Sequence, residues 1–416
     1  MHLYDVPMVF VLVGLALYTV LGGADFGAGM QELTAGRGPH GERIREFAHD
    51  AMAPVWEANH VWLVFVLTVL WTAYPTAFGS IASTLSIPLF IAAVGIILRG
   101  AAYALRSGAT QPRETDAIDM LFAASSLLTP FAMGTMVGGI ASGRVPVGNA
   151  AGDLVTSWVN PISLLTGTLA VATSAYLAAV FLAADARRHG DIEMTRSFRD
   201  RALLAAVVAG VTAIAGLVVL HSDAPRIYDG LVSGDGLVPL IISMASGFAT
   251  LALVVKGRFE LARAGAALAV AAIIAGWAAA QQPIVLPGLT IEQAAAPNDT
   301  LVLVVVAVLV GAVLLFPSLG LLFWLQLRGR FDTASDVRPQ RLAPTSLRRA
   351  SSSGLPARAA LACAIAGVGL LTVAGAGWMH AIGVACFFGF VVLGFIAVAP
   401  ADLAATPSHE SRVRGG

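Results

Sequence analysis

The sequence predicts an all-α polytopic membrane protein, and three observations support this fold class. The chain is 57% hydrophobic and 12% charged, with a mean hydropathy of +0.80, whereas soluble proteins carry roughly twice that charge. Apolar runs of about 20 residues, long enough to cross a bilayer as helices, recur along the chain. Basic residues gather in alternate loops between these runs, as in multi-pass proteins. The formal net charge of zero gives no indication of a nucleic-acid partner.

We expect about nine core spans and then a transmembrane hairpin. The first apolar run has no basic residue before it, so we interpret it as a retained span and not as a signal peptide. The core, residues 1–328, contains predicted spans at 7–31, 53–74, 76–104, 118–141, 157–184, 202–221, 237–255, 263–281 and 299–327. After it we expect a flexible cytoplasmic linker at 329–357, the hairpin at 358–400 (spans 358–377 and 379–400) and a disordered tail at 401–416.

The loops predict the orientation of these spans. Arginines and a lysine crowd the loops that follow the odd-numbered core spans, for example Arg43, Arg187 and Arg258. The alternate loops hold only Arg144 and Arg226. Because basic loops mark the cytoplasmic side, we expect the N-terminus outside, the odd-numbered spans running inward and the C-terminus in the cytoplasm.

Three ionisable residues fall within the predicted spans. Asp25 lies near the inner end of the first span, Glu57 near the inner start of the second, and Arg99 one to two turns inside the inner end of the third. Ionisable groups at membrane depth are costly and often serve as ion pathways or proton relays. The spacing of Gly23 and Gly27 favours close helix approach, which would keep Asp25 inside the bundle.

Two interpretations of these residues stay open. Arg99 could form a buried ion pair with one carboxylate and lock three helices together. The same groups could instead carry protons through the cytoplasmic half of the membrane. Burial disfavours the ionised carboxylate and Arg99 favours it, so the sequence does not determine the protonation state.

His60 follows Glu57 by three residues, which places the two side chains one turn apart on a helix. Glu-x-x-His is half of a di-iron carboxylate site, but the second copy and the two further glutamates that such a site requires are absent from the sequence. We therefore expect no metal site and favour a proton relay or a structural hydrogen bond. Haem ligation by His60 has no specific support. Trp56, Asn59 and Trp62 complete this polar segment.

The rest of the chain gives no sign of soluble-enzyme chemistry. The sequence has no phosphate-binding glycine loop, no nucleophile elbow and no Cys-x-x-Cys. Cys363 and Cys386 fall in the last two spans at depths about 10 Å or more apart, which excludes a disulfide. His221, at the outer end of the sixth span, is interpreted as a capping or headgroup-facing residue.

Four segments resemble subunit II of cytochrome bd-type terminal oxidases. They are Gly23-Ala24-Asp25-Phe26-Gly27-Ala28-Gly29, the block from Ala53 to Leu63 around Trp56, Leu98-Arg99-Gly100-Ala101, and the stretch from Leu289 through Pro317 to Trp324. The likeness covers roughly residues 1–330, and the block around Trp56 is its specific part. It implies nine helices arranged as two four-helix bundles plus one peripheral helix.

The resemblance also implies a function. In that family subunit I holds the haems, of b and d types, and the quinol site. Subunit II binds no haem or metal, packs against subunit I and contributes to a proton path from the cytoplasm. This chain would then belong to a respiratory quinol oxidase of the prokaryotic cell membrane that reduces oxygen to water, without being catalytic by itself. A structural lipid or quinone could fill a groove in it.

The family pattern matches residue by residue with two departures. Asp25, Trp56, Asn59 and Arg99 match, whereas Glu57 stands where the family usually has Asp, and His60 where many members have Glu or Gln. The resemblance therefore implies a proton pathway through Asp25, Glu57, His60 and Arg99, supported by Gly23, Gly27, Trp56, Asn59 and Trp62.

Two further expectations concern the whole chain. The terminal hairpin has no counterpart in the family pattern, and it could take the position of the small single-helix subunits that accompany some bd oxidases. The alternative function is a secondary transporter or channel, in which the same carboxylates bind a coupling cation. Transporters often have broken helices in both halves, whereas the Gly-rich interruption here is confined to the first helices, which disfavours this alternative.

Overall fold

The computed structural model describes residues 2–36, 38–52, 56–106, 112–327, 355–373 and 377–398. The side chains within these ranges are described except at positions 52, 56–58, 104, 106, 112–117, 316, 319–320, 322–327, 355–357, 368, 371–373, 377, 380–381, 384, 387, 391 and 394–398. By its internal contacts the chain forms two compact units, Met1–Ser318 and Leu319–Gly416. Most of the predicted linker and the whole predicted tail lie outside the described residues.

Helices make up most of the first unit. In chain order they are α1 (Val6–Leu17), α2 (Gly23–Leu33), α3 (Pro39–Met52), α4 (Trp56–Ala73), α5 (Pro75–Thr84), α6 (Ser86–Arg106), α7 (Pro112–Ala141), α8 (Pro161–Arg188), α9 (Ile192–Asp223), α10 (Pro225–Val232), α11 (Leu237–Val255), α12 (Phe259–Gln281), α13 (Ile291–Ala294) and α14 (Asn298–Leu327). A 3-10 turn (Leu3–Asp5) precedes α1, and a π-helical segment (Tyr18–Gly22) joins α1 to α2. A small antiparallel hairpin, β1 (Ile284–Leu286) and β2 (Leu289–Thr290), precedes α13.

The prediction of an all-α polytopic membrane protein is confirmed. Within the described part of the chain, eight helices are long and apolar enough to span a membrane. The first of them is the composite helix Leu3–Leu33, which contains α1, the π segment and α2. The second predicted span corresponds to α4, whose apolar portion Asn59–Ala73 is shorter than the others.

The third predicted span, 76–104, is two helices and not one. α5 ends at Thr84 and α6 begins at Ser86, with the fully buried Leu85 between them. Pro88 explains the break, because its ring clashes with the carbonyl of the residue four positions earlier, Thr84, and its nitrogen carries no N–H to donate. Hydropathy alone did not reveal this interruption, since both helices are apolar.

Helix α3 was not predicted, because it is too polar to resemble a span. It buries Ile44 and Ala48 against the core and exposes its polar face. Arg43 donates to Glu193 and, at 2.8 Å, to Asp191, and the hydrogen bond to Glu193 raises the pKa of Arg43. Asp191 also caps α9 by accepting from the Met194 N–H. An amphipathic loop helix thus ties the α2 end of the bundle to the start of α9.

Helix α2 packs between α7 and α8 at the centre of the first unit. All residues from Gly23 to Glu32 are buried. A Cβ at Gly27 would clash with the backbone carbonyl of Ser174 in α8, whereas a Cβ at Gly23 would lie 3.4 Å from the nearest atoms of Ser174 and Leu177. Of the two predicted contact glycines, Gly27 is therefore the one that the close approach of α2 and α8 requires.

The second unit contains α15 (Leu355–Val373) and α16 (Gly377–Val398), which pack against each other. These helices match the two predicted spans of the hairpin to within a few residues. Cys363 lies beside α16, with its Sγ 3.3 Å from the position of a Cβ at Gly389. Both Cys363 and Cys386 are free thiols.

Candidate proton-transfer site

A buried ion pair joins α2 to α6 in the interior of the first unit. Arg99 Nη2 lies 2.8 Å from Asp25 Oδ1 and also donates to the Asp25 backbone carbonyl at 2.8 Å. The side chains of Asp25 and Arg99 are 0% and 2% exposed. Such a pair is tolerated away from water only when the two charges meet with good geometry, and the two contacts of Nη2 supply that geometry.

Helix α7 and two aromatic rings complete the surroundings of the guanidinium. Arg99 Nη1 donates to the Ser126 hydroxyl. The guanidinium carbon lies 4.1 Å from the centroid of the Phe122 ring and 5.3 Å from that of Phe26, which favours the cation through the negative ring faces. A Cβ at Gly29 would overlap Ser126 Oγ and lie 2.9 Å from Arg99 Nη1. Gly29 therefore leaves the space that the guanidinium occupies.

The carboxylate of Asp25 uses only one of its oxygens in this pair. Asp25 Oδ2 is buried and has no hydrogen-bond partner among the described residues. A carboxylate oxygen can accept two hydrogen bonds or take up a proton, and leaving it unsatisfied in the interior is costly. The geometry thus fixes Oδ1 and leaves Oδ2 with the capacity to exchange a proton.

His60 lies in an aromatic cluster next to this pair. Its ring centroid is 6.2 Å from that of Tyr18 and 6.0 Å from that of Phe26, in edge-to-face arrangements. Trp62 packs against the same cluster, which also contains Met30. In the part of the chain that the structure describes, no three His, Cys, Asp or Glu side chains are grouped so that they could hold a metal ion.

Asn59 connects the start of α4 to the π segment. Its side chain is 5% exposed, and Nδ2 donates to the Leu21 carbonyl at 3.3 Å. A π-helical turn leaves backbone groups displaced from the regular helical ladder and is frequent at functional sites. Asn59 thus contacts the composite helix that carries Asp25, and its supporting role stays a prediction.

The side chains of Glu57 and Trp56 lie outside the described residues. The backbone places both in the first turn of α4. Of the predicted site residues, the structure brings Asp25 and Arg99 into contact and sets His60 beside them through Phe26. The role of Glu57 stays a prediction from the sequence.

Sequence reasoning missed three residues of this region. Ser126 accepts a hydrogen bond from Arg99. Tyr18 packs on the rings of Phe26 and His60. Glu32 is a buried carboxylate, 7% exposed, about two turns along α2 from Asp25. The heptad spacing of Tyr18, Asp25 and Glu32 was the available signal, since polar groups seven apart recur on one side of a helix.

Polar contacts also hold the far end of α2. Gln31 Nε2 donates to the Ala175 carbonyl at 3.1 Å, and Arg201 Nη1 donates to Gln31 Oε1 at 3.1 Å and to Thr34 Oγ1 at 2.7 Å. Arg201 Nη2 donates to the Thr34 carbonyl at 3.0 Å. This end of α2, which the loop charges predict to face the cytoplasm, is therefore polar and fixed to α8 and α9.

An open apolar groove of about 600 Å³ lies on another side of the first unit. It is lined by α1, the π segment, α8 and α12, with Glu260 and Arg263 among its lining residues. Arg263 donates to Asp185 at 2.9 Å and stacks on Phe181 at 4.8 Å. The predicted structural lipid or quinone stays a prediction, for which this groove is the candidate location.

His221 belongs to the opposite end of the molecule. It is exposed near the end of α9, where its ring lies 4.7 Å from that of Tyr228. Close by in sequence, Asp223 accepts hydrogen bonds of 2.9 and 2.6 Å from Arg144, and these raise the pKa of Arg144. The capping or headgroup-facing role of His221 stays a prediction.

Fold and site together define a multi-pass membrane protein with a buried ion pair in its central helices. The sequence model of the family described as cytochrome bd terminal oxidase subunit II matches residues 3–326. The chain therefore belongs to this family and is a subunit of an oxidoreductase complex of the respiratory chain. This membership confirms the resemblance and disfavours the transporter alternative.

Relatives and a solved structure agree with this assignment. The chain is 24% identical over 279 residues to cytochrome bd ubiquinol oxidase subunit 2 of Bacillus subtilis (strain 168), covering 65% of this chain and 79% of the relative. It is 27% identical over 222 residues to cytochrome bd-I ubiquinol oxidase subunit 2 of Escherichia coli (strain K12), covering 51% of this chain and 56% of that protein.

The solved bd oxidase from Geobacillus thermodenitrificans contains a chain of the same fold. The TM-score is 0.64 at 24% sequence identity, and the match covers 79% of this chain and 99% of the other. At this sequence identity the structural likeness shows that the two chains share a fold. The family model ends at residue 326, before the terminal hairpin, and the lack of a counterpart for this hairpin stays a prediction.

Proposed function

We propose that this chain is the haem-free subunit of a quinol-oxidising complex that reduces oxygen to water. It packs against a subunit I that carries the b- and d-type haems and the quinol site, in a prokaryotic cell membrane with the N-terminus outside and the C-terminus in the cytoplasm. Family membership over residues 3–326 and the names of the relatives, which are ubiquinol oxidase subunits, support this proposal.

Within this complex the chain delivers protons from the cytoplasm. Oxygen reduction to water consumes protons, and a path to a buried reaction centre needs ionisable groups inside the membrane. Asp25 carries this proposal, because it is fully buried and keeps one oxygen without a hydrogen-bond partner in the described structure. Glu32, about two turns along α2, continues this path toward the end of α2 that the loop charges predict to be cytoplasmic, and His60 lies beside Asp25 across Phe26. Glu57 joins the path because of its position in the sequence, in the first turn of α4.

Arg99 has a positioning role in this path. By binding Oδ1 and the backbone carbonyl of Asp25, it fixes the orientation of the carboxylate and balances its charge. Proton uptake then takes place at Oδ2, while the contact of Oδ1 with Arg99 persists. Because Arg99 balances the negative charge, the Asp25 carboxylate can stay ionised at membrane depth and does not have to remain permanently protonated.

The test is Asp25→Asn in the assembled complex, with Glu57→Gln beside it. Asn keeps a carbonyl oxygen for Arg99 but cannot exchange a proton. We expect oxygen reduction per haem to fall by about 100-fold or more, the range of a lost acid–base group, at unchanged haem content. Oxygen uptake with quinol as donor, measured across pH, provides the rate, and the reduced-minus-oxidised spectrum provides the haem content.

Asp235→Asn is the matched control, because Asp235 is exposed in the loop before α11. It should leave the rate unchanged. Normal turnover of both Asp25→Asn and Glu57→Gln at every pH would reject the proton path and leave the ion pair as a structural element.

A further inference from the structure

The apolar groove of the first unit has ionisable groups at one end only. Its walls come from α1, the π segment, α8 and α12, and all but two of its lining residues are alanine, valine, leucine or phenylalanine. The two others, Glu260 and Arg263, lie in the first two turns of α12. From Arg263 to Ala271 the lining residues of α12 cover about 12 Å. This length is most of one leaflet, since the whole hydrocarbon core is about 30 Å thick.

Arg263 keeps hydrogen-bonding capacity at this end of the groove. Its Nη2 donates to the Phe181 carbonyl at 3.0 Å and to Asp185 Oδ2 at 2.9 Å. Its Nε is buried without a hydrogen-bond partner among the described residues, and none of these residues accepts from Nη1. A guanidinium has five N–H donors. Because the side chain is 25% exposed, Nη1 is available to an acceptor in the groove.

Glu260 supplies the opposite charge one turn nearer the start of α12. It accepts from Arg188 at 2.6 and 3.2 Å, yet its side chain is 59% exposed, and a carboxylate can accept about four hydrogen bonds. Arg188 and Arg263 both also contact Asp185. Two cations and two carboxylates thus meet at the end of the groove. Their charges cancel, which favours a zwitterionic ligand over an anionic one.

The order of these groups along α12 matches the order of the parts of a phospholipid. Glu260 is outermost, Arg263 lies about 4.5 Å deeper, and the apolar walls lie deeper still. In phosphatidylethanolamine the ammonium is outermost, the phosphate follows across a two-carbon bridge, and the acyl chains extend toward the membrane centre. Residues three apart on a helix are close neighbours, so one headgroup can reach both. A quinone ring has carbonyl acceptors but no cation for Glu260.

We propose that this groove binds one phosphatidylethanolamine of the leaflet that the loop charges predict to be cytoplasmic. The ammonium binds Glu260, and the phosphate accepts a hydrogen bond from Arg263 Nη1. An acyl chain fills the space that the small side chains of Ala16 and Ala264 leave between α1 and α12. The bound lipid thereby supports the composite helix of α1 and α2. This assignment selects a lipid over a quinone for the groove and does not depend on the proton path.

The experiment compares the phospholipid bound by the assembled complex with and without a filled groove. Ala264→Phe places a ring in the apolar part of the groove, at an exposed position where it displaces no core side chain. Both complexes are delipidated in detergent, incubated with phosphatidylethanolamine and analysed by native mass spectrometry. We expect the variant to bind one phosphatidylethanolamine fewer per complex and to unfold at a temperature that the added lipid raises less. Equal lipid counts would overturn the inference.

Glu260→Gln tests the headgroup in the same measurement. The amide oxygen still accepts from Arg188, whereas the charge that binds the ammonium is lost. We expect the affinity of this site for phosphatidylethanolamine to fall about tenfold, the equivalent of one hydrogen bond to a charged group. Binding of phosphatidylglycerol, which has no ammonium, should not fall. An unchanged affinity for phosphatidylethanolamine, or tighter binding of phosphatidylglycerol or ubiquinone to the wild-type groove, would show that the assignment is wrong.

Ala245→Phe and Glu42→Gln are the matched controls. Ala245 is exposed on α11 and Glu42 on α3, and neither lines the groove. Both variants should bind phosphatidylethanolamine as the wild type does. Loss of the same lipid in either control would place it outside the groove and overturn the inference. Turnover of Asp25→Asn tests the proton path separately, so the two proposals fail in different measurements.

Discussion

At the scale of single residues, the Arg99 guanidinium lies between two phenylalanine rings and donates to acceptors on two other helices. Its planar group reaches the Asp25 carboxylate and carbonyl from one nitrogen and the Ser126 hydroxyl from another. A lysine offers a point charge without the plane that stacks on Phe122. The pair is therefore specific for arginine, and it connects α2, α6 and α7.

Replacing Arg99 by leucine should harm assembly more than turnover per assembled complex. The change leaves the buried Asp25 carboxylate without its counter-ion, and loss of one partner of a buried pair costs about 3–5 kcal/mol. We expect a lower yield and a lower midpoint of thermal unfolding, measured on the purified complex. Normal yield and normal unfolding temperature would show that Arg99 is not the counter-ion.

The double variant Arg99→Leu, Asp25→Asn is the matched control for this prediction. Removing both charges eliminates the uncompensated carboxylate, so the double variant should be more stable than Arg99→Leu by itself. Equal destabilisation of the two variants would attribute the loss to packing against Phe26 and Phe122 and not to charge.

At the scale of helices, the contact between α2 and α8 depends on one glycine. Both Gly23 and Gly27 suggested close approach when only their spacing was known. The structure separates them, because a side chain at Gly27 would meet the backbone of Ser174, whereas one at Gly23 would make ordinary contacts with Ser174 and Leu177. The Ser174 backbone cannot avoid a new Cβ at position 27 by a rotamer change, so the two helices would have to move apart.

Gly27→Ala should therefore destabilise the complex, and Gly23→Ala should be tolerated. We expect a loss of about 1–3 kcal/mol for Gly27→Ala, the range of overpacking in a tight interior, together with weaker oxygen reduction as α2 carries Asp25 away from Arg99. Thermal unfolding and turnover of the two variants, measured side by side, check the prediction. A Gly27→Ala complex as stable as the Gly23→Ala complex would contradict it.

At the scale of the whole molecule, the chain continues beyond its family-matching part with α15 and α16. The predicted linker before them reaches about 30 Å as a flexible coil, so the hairpin can dock on a surface far from α14, including the partner subunit. Its glycines, among them the buried Gly367 and Gly383, suit close helix contact. A position like that of the accessory single-helix subunits of other bd oxidases would fit this reach.

Truncation after Gly329 should leave the core folded but weaken the complex in detergent. The physical reason is the loss of helix contacts that the hairpin makes with its docking surface. Thermal stability and subunit ratio after purification measure the effect. Truncation after Pro400, which removes only the predicted tail, is the control and should change neither. If the first truncation is as stable and active as the full chain, the hairpin is dispensable.

The sequence by itself determined the fold class, most of the spans and the family. Long apolar runs specify membrane helices because backbone groups in lipid must be satisfied within the helix. Ionisable residues stand out against such runs, so Asp25, Glu57 and Arg99 could be selected without a structure. The sequence did not reveal the break at Leu85 or the amphipathic helix α3, since a hydropathy profile detects neither a proline clash nor a short polar helix.

Only the tertiary structure decided which groups meet. The pairing of Arg99 with Asp25 and Ser126 depends on how α2, α6 and α7 are placed, and contacts between residues far apart in sequence have no local signature. The same holds for Gly29, whose missing side chain makes room for the guanidinium.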